Sequence, residues 1–212
     1  MSTTTAARTS TNRINPAVLA PVLAFAGFTI AYVATNAGVP HPDASGADVL
    51  AYTTSHTDLI NAGAVLMLLS ATPLAIAGAL LQRTLRAPAI AVVGAGLAAA
   101  ALTFSALFAW AGGHLAGSST PELARAIADM GYLTGGPAYS AGFGLLIIGI
   151  SIPALLNRTL PPVLVWIGFA IAAAAALSTL ALIASGFGYL LPVVRFGGLL
   201  WLITTGVVLS RR

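Results

Sequence analysis

Side chains able to do chemistry are scarce in this chain, which has nine basic residues (all arginine), five acids, three histidines and no cysteine. Without thiols there is no disulfide, thiolate metal site or thiol nucleophile. Two His-x-Asp pairs stand out, His41-Pro42-Asp43 and His56-Thr57-Asp58, with His114 further along. Imidazole and carboxylate together suit Zn²⁺ or a similar divalent ion. His41, Asp43, His56 and His114 therefore form a candidate metal set, and such an ion is the only cofactor the sequence offers. The ordinary reading of the same residues is that loop histidines are solvated, and that Asp48 and Asp58 cap helix starts.

Arg195 is the one charge inside a long apolar run, six residues after Tyr189 opens that run, or roughly 9 Å deep at a helical rise of ~1.5 Å per residue. An arginine at the centre of a spanning helix costs about 2.5–3.5 kcal/mol on insertion scales, and less where it snorkels. It is then either an anion, headgroup or gating site, or one half of a structural ion pair. The ion pair, with Asp58 or Asp129 at the same expected membrane level, is the preferred expectation. Gly135-Gly136-Pro137 offers a place where a helix end unwinds and opens a small cavity with Asn61 and Tyr139. The candidate binding set is thus Arg195, Asp58, Asp129, Asn61 and Tyr139.

The elements that position these residues follow from composition. Of 212 residues, 58% are hydrophobic and 7% charged, against roughly 25% charged in a soluble domain. A spanning helix needs about 20 apolar residues to cross ~30 Å of hydrocarbon. Six such runs are legible, over residues 16–36, 59–81, 89–111, 132–156, 163–185 and 189–209. The ~10-residue alternation of a membrane β-barrel is missing. The expected fold is all-α, a polytopic transmembrane bundle of six helices over residues 15–212, preceded by a disordered tail over residues 1–14. No His falls mid-span to ligate haem, and no Asp, Glu or His falls near a midplane to relay protons.

Arg8, Arg13, Arg83, Arg86, Arg158, Arg211 and Arg212 occupy alternate connections, while Asp43, Asp48, Asp58, Glu122 and Asp129 all fall on the other side. The positive-inside rule places both termini in the cytoplasm of a bacterial plasma membrane, with the first run a retained signal anchor. The basic balance then reports orientation and gives no reason to expect nucleic acid. The arginine-only basic set, with 22 glycines and abundant alanine, is the bias of a GC-rich bacterial genome.

Two connections on the acidic side carry helix starts of their own, Ser45-Gly46-Ala47-Asp48 and Ser119-Thr120-Pro121-Glu122. They predict two short extracytoplasmic surface helices. Leu80-Leu81-Gln82-Arg83-Thr84-Leu85 is echoed 75 residues on by Leu155-Leu156-Asn157-Arg158-Thr159-Leu160. This suggests a unit of span, surface helix, span and arginine stop, repeated as three hairpins of one sense, the last without its surface helix. Gly136, Ser140 and Gly144 form the expected close-packing face of span four, and Gly94 and Ala98 that of span three. Trp110, Tyr132, Tyr189 and Trp166 suit membrane interfaces, and Trp201 suits packing.

Pro42-Asp43-Ala44-Ser45, Thr120-Pro121-Glu122-Leu123-Ala124-Arg125-Ala126, and Asn157-Arg158-Thr159-Leu160-Pro161 leading into Trp166-Ile167-Gly168 together resemble a family of bacterial multi-span membrane proteins grouped as a domain of unknown function. The resemblance covers most of the chain after residue 15. It departs at Pro161-Pro162, where such proteins often have Pro followed by a basic residue and Trp. It implies a six-helix inner-membrane protein and carries no catalytic residues.

Three functions remain open. The first is a non-enzymatic accessory or interaction subunit, with a membrane-protein partner or a second copy in the lipid bilayer. The second is a small transporter or lipid-binding protein using Arg195. The third is an extracytoplasmic metal-dependent enzyme. The orientation is directly testable: a reporter fused after Arg212 should fluoresce as a cytoplasmic green fluorescent protein and be inactive as alkaline phosphatase. The reverse pattern would invert the topology.

Overall fold

The computed structural model describes residues 16–211; the expected tail over residues 1–14, with Arg8 and Arg13, lies outside them, as does Arg212. Among the described residues there is no strand, and six helices are long and apolar enough to cross a membrane. The spans are Ala17–Thr35, Thr57–Leu85, Ile90–Leu115, Pro121–Leu156, Pro162–Leu182 and Ser185–Ser210. In finer terms span one is α1 (Pro16–Thr35), followed by the short α2 (Gly46–Ser55), then α3 (Thr57–Leu85) and α4 (Ile90–Leu115). Span four joins α5 (Pro121–Leu133) to α6 (Tyr139–Leu156) through a π-turn at Thr134–Ala138. Span five is α7 (Pro162–Ser178) with a 3₁₀ turn, Thr179–Leu182. Span six begins with a 3₁₀ turn, Ser185–Tyr189, and runs through α8 (Leu190–Pro192), a second π-turn (Val193–Gly197) and α9 (Gly198–Ser210).

The two surface-helix starts form, with one adjustment. Ser45 caps α2, its Oγ accepting from the Asp48 N–H at 3.2 Å and donating to the Asp48 carboxylate at 2.7 Å. The second cap is Thr120 and not Ser119, its Oγ1 accepting from the Leu123 N–H at 3.3 Å. Pro121 has no N–H to satisfy, so it takes the first helical position and moves the cap next to itself. The helix that follows does not end. It continues into span four, so Gly135-Gly136-Pro137 is an interior π-turn and not a helix start. Proline removes an N–H and crowds the carbonyl one turn back, and an extra residue in the turn relieves both. Pro192 immediately precedes the other π-turn.

At the opposite end of the bundle, where spans two and three and spans four and five connect, Arg86 and Arg158 adopt φ of 49° and 51°. Each sits just past a helix end with the long Schellman bond behind it: Ala87 N–H to Gln82 C=O at 2.9 Å, and Thr159 N–H to Ala154 C=O at 3.1 Å. The equivalent left-handed positions are thus Arg86 and Arg158, whereas the sequence echo pairs Arg83 with Arg158. The first hairpin runs most of a turn further before stopping.

Lipid gives helices no hydrophobic reason to associate, so the bundle closes where small residues allow backbones to meet. The tightest seam joins α4 and α6. A Cβ at Gly94 would stand 2.3 Å from the Leu146 backbone nitrogen, and one at Gly142 would stand 2.5 Å from that of Ala98. Gly149 meets Ala91 in the same way one further pair along. Gly94 and Ala98 are where the sequence put them, but the span-four face is Gly142 and Gly149. Of the expected 136–140–144 stripe, Gly144 faces Ala175 on α7, Gly136 faces Leu191, and Ser140 is buried at a cavity. Trp201 does pack: it is buried, and its Nε1 donates to the Leu164 carbonyl at 2.7 Å.

These seams generate a paired prediction. Gly94→Ala should destabilise the purified protein by about 1–3 kcal/mol, the range for overpacking a tight site. Gly96→Ala, two residues away on the same helix with nothing within 4 Å of the new Cβ, should leave the melting temperature unchanged or raised. Equal effects in thermal unfolding would contradict the seam.

Candidate functional site: a cavity beside Arg195

The buried stripe of α1 runs Val18, Val22, Phe25, Ala26 and Thr29. One more turn of the same helical period brings Tyr32, Val33 and Asn36 to that face. They are half-buried, Tyr32 packing on the edge of the core. They line a cavity of about 640 Å³ at the end of the bundle that carries α2 and the start of α5. Met67 on α3 and Tyr139 and Ser140 on α6 line it too, and all three are buried. Next to Tyr139, Phe143 stacks at 5.2 Å and in turn meets Phe25 at 6.2 Å. Gly198 leaves room for the Phe143 ring, since a Cβ there would fall 2.3 Å from Cε1.

Arg195 reaches this cavity from the π-turn of span six. Its Nη2 donates to the Gly135 carbonyl at 2.7 Å, in the π-turn of span four. That carbonyl is available because the Tyr139 N–H is directed to Thr134 and Gly136 instead. The guanidinium lies 5.2 Å from the Tyr139 ring centroid and 5.7 Å from that of Tyr32, within cation–π range. No carboxylate among the described residues pairs with it.

The expected ion pair therefore does not form. Asp129 is held by Arg125, one helical turn away on α5, with Nη2 to Oδ1 at 2.6 Å and Nε to Oδ2 at 3.1 Å. An i,i+4 neighbour is in reach before any other span packs, so it takes the acid. Asp58 lies exposed in the first turn of α3, where its charge suits the helix N-terminus. Tyr139 is in the cavity as expected. Asn61 is not on its wall; its Oδ1 is buried beside Gly113 with no hydrogen-bond partner among the described residues.

The four metal candidates are not gathered. His41 and Asp43 pair with each other at 3.2 Å, both exposed. His56 ends α2, stacked on Tyr52 at 4.3 Å, and His114 stacks on Trp110 at 4.9 Å. Among the described residues no group of three or more His, Asp or Glu is placed to hold an ion.

Sequence reasoning passed over Arg125. Besides Asp129, it donates to the carbonyls of Pro42 and of Ala44, the latter at 2.8 Å, stitching the α1–α2 connection onto α5. Gly46 completes the contact, because any Cβ there would meet the Pro121 carbonyl at 2.4 Å. The available signal was a lone arginine on the acidic side, one turn from an acid.

The class this geometry defines is a multi-pass membrane protein with an arginine-floored cavity in one half of its bundle. Compared with protein-family models, curated proteins and solved structures, the chain matches none.

Arg125→Ala should speed amide exchange across residues 41–49 by roughly tenfold, as expected when charge-assisted bonds to a connection are lost, while leaving α6 and α9 protected. Unchanged exchange at residues 41–49 would show that the clasp holds nothing.

Proposed function

We propose that the protein binds a small amphipathic molecule within the membrane, in the cavity that Arg195, Tyr139, Tyr32 and Met67 help to line. The observation that carries this reading is Arg195 itself: a charge placed within a span, bonded to one carbonyl, and facing open volume instead of a carboxylate. Intramembrane charges are expensive and mark functional pathways unless they are paired with one another. The volume of about 640 Å³ falls within the ~300–1,000 Å³ usual for small-molecule sites. The mixture of apolar wall with a few convergent polar groups is also usual there. An accessory-subunit role draws on the scarcity of polar residues in the spans, and the cavity outweighs that argument. The arginine-rich connections favour a bacterial plasma membrane with both termini in the cytoplasm.

The test is native mass spectrometry of the full chain released from detergent, beside an Ala64→Phe variant that grows a buried cavity wall inward. The wild type should carry an adduct of a few hundred daltons, roughly drug-sized as the volume requires, and Ala64→Phe should lose it while eluting as the same species. A naked wild-type chain that is also not stabilised by added amphiphiles would overturn the proposal. A true ligand at 100 times its Kd should add about 2.7 kcal/mol.

A further inference from the structure

Resting on that reading, we infer that the ligand is a lipid-type monoanion, an oxyanion head on an apolar chain, and that it reaches Arg195 sideways from the bilayer between α1 and span six.

The charge of the site supports the first half. Besides tyrosines, which are neutral at ordinary pH, four ionisable side chains line the cavity: His41, Arg125, Asp129 and Arg195. Arg125 and Asp129 neutralise each other in a two-bond pair, and exposed His41 lies against Asp43 at the rim. The charge left over is the single positive charge of Arg195. Its guanidinium has five N–H donors, and the Gly135 carbonyl is its one acceptor among the described residues. The unused donors match an oxyanion, which an arginine grips better than any neutral acceptor. The rest of the wall is mainly apolar, Val33, Ile60, Ala64, Met67, Phe108 and Leu191 among it, with hydroxyl groups such as those of Ser105 and Ser140 between them, which suits a ligand whose remainder is mainly apolar.

The packing supports the second half. α1 meets span six through α9, where a Cβ added at Gly206 would stand 3.5 Å from the Val22 side chain. Residues 185–197, the other half of span six, share no comparable backbone approach with α1 and meet it through the Arg195 side chain on Tyr32. The two spans thus form a wedge, closed at the arginine connections and bridged at the level of Arg195 by the guanidinium over the Tyr32 ring. Its edges are Val33 on one side and Leu191 and Phe196 on the other, and all three also line the cavity. The alternative way in, through the end cap beside exposed His41, is narrowed: Arg125 ties the α1–α2 connection down, and Gly46 lies against the Pro121 backbone.

The experiment uses the full chain in phosphatidylcholine nanodiscs. The probes are oleate, oleoyl lysophosphatidylglycerol, uncharged oleyl alcohol, and acetate as a head without a chain. At least one of the two monoanionic lipids should bind about tenfold or more tighter than oleyl alcohol, the increment of a charge-assisted bond. Whichever is tighter names the source, carboxylate or phosphodiester. Arg195→Gln should abolish the preference and Arg195→Lys should keep part of it. Binding of both monoanionic lipids no tighter than that of oleyl alcohol by the wild type would overturn the anion assignment, and needs no variant. If Ala64→Phe still abolished both, the cavity reading would stand without it. Displacement of oleate by equimolar acetate would overturn the lipid source in favour of a soluble anion. For the route, Val33→Trp with Leu191→Trp should slow the rate of loading from oleate-bearing vesicles severalfold more than it weakens equilibrium binding, and Arg125→Ala should not hasten it. Loading indifferent to the tryptophans but faster in Arg125→Ala would place the route through the cap.

Discussion

Hydrocarbon offers no partner to a charge or to a backbone carbonyl, so each must be met by protein, and much of this fold can be read as the way Arg195 is met. Its guanidinium takes a carbonyl that a regular helix would have spent on its own N–H, and the faces of two tyrosines. That arrangement needs both π-turns. One frees the Gly135 carbonyl, and the other lies in the turn that carries Arg195. Each π-turn is tied to a proline, Pro137 within one and Pro192 just before the other.

The same economy governs the packing. With no hydrophobic drive between spans, contact area comes from backbone approach, and Gly94, Gly142 and Gly149 draw α4 and α6 together until side chains are excluded between them. Where small residues give way to Tyr32, Met67 and Tyr139, the bundle no longer closes and the cavity begins. The close seam and the open volume are consequences of one distribution of side-chain size.

The end that carries α2 is organised by a different interaction. Arg125 holds Asp129 and two carbonyls of the α1–α2 connection, which removes Asp129 from the reach of Arg195. One i,i+4 pair thereby decides that the deeper arginine keeps an uncompensated charge. Were Asp129 free, Arg195 would have a candidate counter-ion, and the proposed preference for an anion would lose its basis.

Local physics, acting over one or two turns, was legible in the residues themselves. Six spans follow from the length of the apolar runs, and the α2 start from Ser45 and Asp48. The packing role of Trp201 and the cavity membership of Tyr139 were also readable, because burial and aromatic size act wherever the chain goes. What depended on distances between spans was not legible. Sequence alone offered Arg195 two acids and could not rank them against Arg125, because a partner is chosen by which side chain arrives first in three dimensions. It placed four candidate ligands near one membrane level without saying whether their connections converge, and the tertiary structure leaves His56 and His114 stacked on their own helices. It read Gly135-Gly136-Pro137 as an unwound helix end, because only the continuity of α5 into α6 reveals an interior π-turn. Periodicity fixed which face of each helix is small or apolar; the tertiary structure decided which faces meet and which enclose space, since that depends on how neighbouring spans tilt around residues far apart in the chain.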